Sequence, residues 1–101
     1  MIFIYTTSPN LEEAKKLAEV IIDKKLASAV NLWPTQSIYM WKGEKREGEG
    51  AVLFIRTLES KLQEIEDLIG THNMHGIPCV AAVDVRRINR HYKEHLVECV
   101  G

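Results

Sequence analysis

The sequence predicts an α+β fold of the ferredoxin-like split β-α-β type, with the element order β-α-β-β-α-β-α. Two observations support this prediction. Apolar residues recur at helical spacing in three segments, and apolar or alternating runs mark four strands between them. The first six elements then form an antiparallel sheet with two helices on one face. Residues 1–101 are expected to be a single domain, because no linker, repeat or low-complexity segment interrupts them.

The first strand and the first helix are predicted from residues 2–22. Residues 2–7 are apolar and β-branched, and Pro9 and Asn10 end the strand. Asn10 is a suitable N-cap for a helix, because its side chain can accept a hydrogen bond from the first turn. The apolar residues at helical spacing are Leu11, Ala14, Leu17, Ala18, Ile21 and Ile22.

The second and third strands are predicted on either side of a hairpin connection. A long strand is expected from Ala27 to Trp41, interrupted near Pro34. Because proline cannot donate to the ladder, Pro34 implies a bulge or an edge position. Residues 42–50 are polar and punctuated by glycine, so they are expected to connect this strand to a buried strand over 51–57.

The second half of the chain repeats the helix-and-strand pattern. Ser60 and Gln63 form a predicted capping box, and Gly70 is the expected stop of that helix. A fourth strand is predicted over 77–85. The last helix is expected to place four residues on one face, namely Ile88, Tyr92, Leu96 and Cys99.

The sheet face away from the helices is expected to be buried by another subunit. Strand alternation places Trp33, Tyr39 and Trp41 on that face, and exposed apolar surface of this kind usually marks an interface. The sequence therefore predicts a homo-oligomer in which these three residues lie at the interface.

Composition narrows the range of functions. The net charge is −1, so there is no overall field to attract nucleic acid or an anionic membrane. Two cysteines are too few for a disulfide framework, and free thiols favour a reducing compartment. The first residues have no basic leader and only five apolar positions, so neither a signal peptide nor a membrane span is expected. These features predict a cytoplasmic protein.

The stretch "THNMHGIPC" contains a candidate metal site made of His72, His75 and Cys79. Imidazole and thiolate suit Cu(I) and Zn(II), and Met74 could add a thioether. The alternative is a helix end followed by a turn, with Cys79 directed into the core by strand alternation. Copper or zinc is the cofactor that this stretch would hold, if a neighbouring subunit adds further ligands.

Two patterns near the C-terminus are open to a functional and a structural explanation. "HYKEH" formally matches an inverted zinc-protease motif, with Glu94 as the base. Only six residues follow it, so a third zinc ligand would have to come from upstream or from another chain. A packing role is therefore favoured, and no enzyme is expected. Arg86, Arg87 and Arg90 form a basic cluster that could receive an anion, although a solvated face is the favoured explanation.

The sequence resembles the CutA divalent-cation-tolerance family. "LASAVN" (26–31), "SIYMWKGE" (37–44) and "GIPCVAAVDV" carry the similarity, and the Ser-x-Tyr-x-Trp-x-Gly run is its most specific part. The resemblance implies a tight homotrimer whose long strands pair between subunits. It also implies a link to copper and other divalent metals, with no established enzymatic reaction.

Three of the positions that depart from the family pattern bear on a copper site. Thr6, Ala29 and Thr71 stand where family members often have cysteine or histidine, so a copper site is not carried over residue by residue. The alternative function is that of a trimeric sensor resembling the PII signalling proteins, in which the three arginines and Lys42 or Lys45 contact a phosphate or carboxylate. The hairpin connection is too short to form the long loop of such proteins.

Overall fold

The computed structural model of the protein describes residues 1–73 and 76–101. Its four strands form one antiparallel sheet in the order β2-β3-β1-β4, which confirms the predicted split β-α-β arrangement. The elements in chain order are β1 (Ile2–Ser8), α1 (Leu11–Asp23), β2 (Ala29–Trp41), β3 (Glu44–Thr57), a 3₁₀ turn (Glu59–Lys61), α2 (Leu62–His72), β4 (Ala81–Asp84) and α3 (Arg90–Val100).

Helices α1 and α2 pack on one face of the sheet and enclose the main core. The buried strand residues alternate along β1 and β3, as a sheet with one covered face requires. Burying a large aliphatic side chain contributes about 1.5–3 kcal/mol, so this cluster is the main source of stability. Its largest members are Ile2, Ile4, Leu17, Ile21, Leu53, Ile55, Ile65 and Ile69.

The β2–β3 hairpin is longer than the sequence indicates. Lys42 and Gly43 form its turn with φ angles of 50° and 78°, the backbone of a two-residue hairpin turn. The segment 44–50, predicted as a connection, therefore belongs to β3 and pairs with β2. Because β1 pairs with β3 only as far as Ala51, the hairpin continues beyond the sheet as a two-stranded ribbon. Residues 35–50 are called the arm below.

Pro34 and Gly50 lie where the arm leaves the sheet. Pro34 is on the edge strand β2 and stays in register with Ala51, so the edge position is confirmed and no bulge forms there. A Cβ on Gly50 would lie 2.8 Å from the carbonyl oxygen of Ser8. This position therefore requires a residue without a side chain.

The boundaries of α2 and β4 differ from the predicted ones. Helix α2 begins at Leu62 after a 3₁₀ turn and has no side-chain cap, so the predicted capping box is wrong. Gln63 instead donates from Nε2 to Oδ1 of Asp67, one turn later, at 3.0 Å. Helix α2 also continues past Gly70. Strand β4 has only four residues, because its hydrogen-bonded register with β1 begins at Ala81.

Helix α3 contacts the sheet face opposite to α1 and α2. The hydroxyl of Tyr92 lies 2.8 Å from Oγ of Ser28 and accepts a hydrogen bond from Nη1 of Arg56 at 3.4 Å. Since Ile55 faces the main core, its neighbour Arg56 is on the opposite face. Leu96 and Val100 are buried under α3, whereas most of that opposite face is uncovered in the single chain. This face is called the open face below.

None of the helices in the described part of the chain has the length and hydrophobicity of a membrane span.

Candidate functional site

The open face carries a cluster of aromatic side chains. The rings of Phe3 and Phe54 stack with centroids 4.5 Å apart, and Trp33 lies 6.5 Å from Phe54. Trp33 is 45% exposed and Val83 on β4 is 50% exposed. Strand register explains the cluster, because Phe3 pairs with Arg56 and Val83, and Trp33 pairs with Val52. The cluster is a contiguous apolar surface of the kind that marks an interface.

The other two predicted interface residues lie on the same side of the arm. Tyr39 is 48% exposed, and its ring lies 3.9 Å from the position of a Cβ on Gly48. Trp41 is half-buried, because its indole packs 3.7 Å from the corresponding position on Gly76. The structure thus places Trp33, Tyr39 and Trp41 on one face, with Trp41 partly occupied within its own chain.

Two apolar residues of the arm were missed at the sequence level. Ile38 and Met40 are 70% and 67% exposed on the other side of the arm, beyond the reach of α1 and α2. Their alternation with Tyr39 and Trp41 was the available signal, since a run of apolar residues on both faces of a strand predicts burial on both.

His72 is the last residue of α2, and its side chain is exposed. Its Nδ1 lies 3.0 Å from the carbonyl oxygen of Leu68. Because a carbonyl oxygen only accepts, Nδ1 donates in this contact, and in the neutral ring Nε2 carries the available lone pair. A hydrogen bond of this type fixes the ring of many metal-ligating histidines.

Cys79 is exposed, so the prediction that it faces the core is wrong. The alternation of a strand does not apply to it, since β4 begins two residues later at Ala81. His75, the third predicted ligand, lies outside the described residues. Within residues 1–73 and 76–101, no group of three or more His, Cys, Asp or Glu side chains is placed to hold a metal ion.

A groove of about 720 Å³ separates the arm from the segment that follows α2. Tyr39, Trp41 and Arg46 line it on the arm, and Asn73 and Ile77 belong to the segment opposite. The described part of the predicted metal stretch therefore borders the aromatic side of the arm. This proximity could not be predicted from the sequence, because the two segments are about thirty residues apart.

The three positions that depart from the family pattern and bear on a copper site are distributed over different parts of the fold. Thr6 is fully buried on the core face of β1. Ala29 pairs with Arg56 and is therefore on the open face. Thr71 is exposed on α2, where its Oγ1 donates to the carbonyl of Asp67 at 3.0 Å. In a single chain, Thr6 and Ala29 lie on opposite faces of the sheet.

The basic cluster is divided between a loop and a helix. Arg86 and Arg87 are exposed in the connection between β4 and α3. Arg90 begins α3 and lies 3.6 Å from the carboxylate of Glu94, one turn later. Of the three arginines of this possible anion site, two are exposed in the loop and the third forms an ion pair on its own helix.

The "HYKEH" motif brings a different pair of side chains together. His95 lies one helical turn before Cys99, and its Nε2 is 3.5 Å from the sulfur. The ring of Tyr92 lies 5.6 Å from the ring of His95. Sequence reasoning assigned His95 and Cys99 to packing, although their spacing of four residues indicates neighbours on one helix face.

The described residues define a class of protein, an α+β ferredoxin-like domain with an elongated β2–β3 hairpin and an additional C-terminal helix. Within this class the chain belongs to the CutA1 divalent ion tolerance protein family, whose sequence model matches residues 2–99.

Individual relatives agree with this assignment over nearly the whole chain. A divalent-cation tolerance protein CutA from Archaeoglobus fulgidus is 31% identical over 98 residues, which are 97% of this chain and 96% of that protein. The chloroplastic protein CutA 1 of Oryza sativa is 35% identical over 96 residues, 94% of this chain and 54% of that protein. The solved structure of the periplasmic divalent cation tolerance protein CutA from Archaeoglobus fulgidus superimposes with a TM-score of 0.96 at 30% identity, covering 100% of both chains.

Proposed function

We propose that the protein acts in divalent-cation tolerance as a homotrimer that binds copper or zinc and catalyses no reaction. The observation that carries the proposal is the match of residues 2–99 to a family named for divalent ion tolerance. Curated relatives that align over nearly the whole chain carry the same name. This role in metal response is supported by an exposed apolar face and by two exposed candidate ligands, His72 and Cys79.

The assembly part of the proposal is supported by the open face and the arm. Trp33, Tyr39 and Val83 expose about half of each side chain, which costs free energy in water unless a partner covers them. The outer edge of β2 also presents backbone groups along 13 residues. A closed ring of identical chains covers such a surface without leaving a free edge. The number three follows from the family resemblance.

The metal part of the proposal is supported by the state of His72 and Cys79. The ring of His72 is oriented by the Leu68 carbonyl, and Cys79 is exposed seven residues further along the chain. His75 is included on the sequence alone. Since the site needs more ligands than one chain shows in its described residues, the proposal assigns the remaining ligands to a neighbouring subunit.

The cytoplasm is the proposed location, on the ground that both cysteines are free thiols. A relative from Archaeoglobus fulgidus is described as periplasmic, so the compartment requires its own test. Fractionation of the native cells, followed by immunodetection of the chain, decides between the two. Recovery in the periplasmic fraction would overturn this part of the proposal.

Native mass spectrometry of the reduced protein, before and after exposure to Cu(I) and Zn(II), tests the metal and assembly proposals together. The expected result is a trimer with one or three ions bound by the stretch 72–79. The triple variant His72→Ala, His75→Ala, Cys79→Ser should remain trimeric and lose these ions.

Three results would contradict the proposal in different ways. A monomer would contradict the assembly, and unchanged metal binding in the triple variant would exclude the three ligands. A rise in thermal stability with ATP or inorganic phosphate, and none with either metal, would favour the PII-like alternative built on Arg86 and Arg87.

A further inference from the structure

His95 and Cys99 form a second pair of soft ligands, separate from the proposed metal stretch. The sulfur of Cys99 lies 3.5 Å from Nε2 and 3.9 Å from Nδ1 of His95. The imidazole is exposed and the thiol is half-buried. Both residues are on α3, which contacts the open face, whereas His72 ends α2 on the other side of the sheet.

The fold fixes the backbone positions of this pair. Leu96 follows His95, and Val100 follows Cys99. Both are buried and hold α3 against the sheet. Tyr92 adds two polar contacts, from its hydroxyl to Ser28 and to Arg56. Residues four apart on a helix have neighbouring side chains, so the separation of the two Cα atoms suits chelation of one ion.

Only a side-chain rotation separates the observed contact from a chelate. Since the two nitrogen–sulfur distances differ by only 0.4 Å, the thiol lies beside the ring instead of along the lone pair of one nitrogen. The imidazole is exposed, so rotation about its Cβ–Cγ bond turns a nitrogen toward an ion held by the sulfur. Metal–nitrogen and metal–sulfur bonds of about 2.0–2.3 Å span such a separation.

We propose that His95 and Cys99 bind Cu(I) as a two-ligand site, in addition to any site in the stretch 72–79. Imidazole and thiolate together select soft or borderline ions over Mg²⁺ and Ca²⁺. Structural zinc sites need four protein ligands, which this pair does not supply. A soft thiolate ligand selects Cu(I). Binding releases the thiol proton to solvent as the copper–sulfur bond forms, and it involves no change in oxidation state.

The experiment uses as background the triple variant His72→Ala, His75→Ala, Cys79→Ser, so that the three candidate ligands of the stretch 72–79 cannot account for the result. Cu(I) is supplied anaerobically against a chromophoric Cu(I) chelator, and the bound ions per chain are counted. We expect one Cu(I) per chain in the background variant. Adding Cys99→Ser or His95→Gln should weaken binding at least about tenfold, the smallest loss seen even when an outer-shell partner is removed. Adding His91→Gln, one turn earlier, is the matched control and should change nothing.

Each alternative outcome contradicts the proposal. A background variant that binds no Cu(I) excludes the site, and so does unchanged affinity after Cys99→Ser. A loss with Cys99→Ser alone would reduce the site to a single thiol. Circular dichroism and native mass confirm that each variant is folded and assembled as the parent is. X-ray absorption of the copper-loaded background variant should show one sulfur and one nitrogen scatterer.

The two metal proposals fail independently of each other. Loss of Cu(I) from the background variant would leave the stretch 72–79 as the metal site. If the background variant keeps all of its bound Cu(I) and Cys99→Ser then removes it, His95 and Cys99 are the site.

Discussion

Two threonines with the same burial differ in their hydrogen bonding. Thr6 and Thr57 are both fully buried, one in β1 and the other at the end of β3. Thr57 donates from Oγ1 to the carbonyl oxygen of Leu26 at 2.5 Å, which ties β3 to the segment after α1. The hydroxyl of Thr6 has no hydrogen-bond partner among the described residues. Burial of an unpaired hydroxyl costs free energy that valine would not cost.

The two positions are therefore expected to respond oppositely to the same substitution. Thr57→Val leaves the Leu26 carbonyl buried without this donor and should lower the free energy of unfolding by about 1–3 kcal/mol. Thr6→Val removes an unpaired hydroxyl at nearly constant volume and should raise that free energy by up to about 1 kcal/mol. Denaturant unfolding at one fixed protein concentration measures both. A loss at position 6 equal to that at position 57 would show that Thr6 is hydrogen-bonded.

At the scale of single elements, the two asparagines that precede helices do different things. Asn10 accepts a hydrogen bond from the backbone N–H of Glu13 at 2.8 Å, as its N-cap position predicts. Asn89 precedes α3 in the same way, and its side chain makes no capping bond among the described residues. The residue type is the same at both positions, and only the geometry distinguishes them.

Substitution of each asparagine by alanine measures this difference. Asn10→Ala should destabilise the protein by about 0.5–2 kcal/mol, because one N–H of the first turn of α1 loses its partner. Asn89→Ala is the control and should stay within about 0.5 kcal/mol of the parent. Thermal and denaturant unfolding report both values. Equal losses would mean that Asn89 caps α3 in solution.

The apolar periodicity of the sequence predicted the helices and strands that show it. The prediction was wrong where tertiary contacts determine the local structure. Helix α1 and the core strands follow directly from residues such as Leu17 and Ile55. The segment 44–50 is polar and glycine-rich, so nothing local marks it as a strand. It becomes one because a two-residue turn aligns it with β2. The prediction that Cys79 faces the core was wrong for a related reason, since the start of β4 depends on its register with β1.

The candidate site was only partly predictable for the same reason. Strand alternation correctly grouped Trp33, Tyr39 and Trp41 on one face. The contact of Trp41 with Gly76, and the one between His95 and Cys99, depend on how distant segments and side-chain rotamers meet. The spacing of His95 and Cys99 places them on one helix face. No pattern of residue types fixes the rotamers that bring the ring to the thiol, or the contact of Trp41 with Gly76.

At the scale of the whole molecule, the two faces of the sheet are covered to different extents. One face is closed by α1 and α2, and the open face is covered by α3 at one end only. The long dimension of the molecule is 45 Å against 26 and 22 Å, in keeping with an arm that extends from a compact body. A surface of this shape supports the assembly proposed above.

Trp33→Ala tests that assembly. If the open face is a subunit interface, loss of the indole should weaken association by about 2 kcal/mol or more, since large aromatic residues in an interface carry much of its energy. Ile22→Ala is the matched control, because Ile22 is a similarly exposed apolar residue on α1. Sedimentation over a range of concentrations measures the dissociation of both variants. A Trp33 variant that dissociates as the parent does would place the interface elsewhere.

The arm has a consequence for the behaviour of the chain before it assembles. The arm, residues 35–50, lacks the third strand that an independently stable sheet needs, because β1 pairs with β3 only as far as Ala51. A two-stranded hairpin is marginally stable in water. Order in the arm is therefore linked to whatever covers it, and under the assembly proposed here it increases with the concentration of the chain. Under the same proposal, the body should fold while the arm frays at low abundance, and Ile38 and Met40 should be open to proteases until the chains assemble.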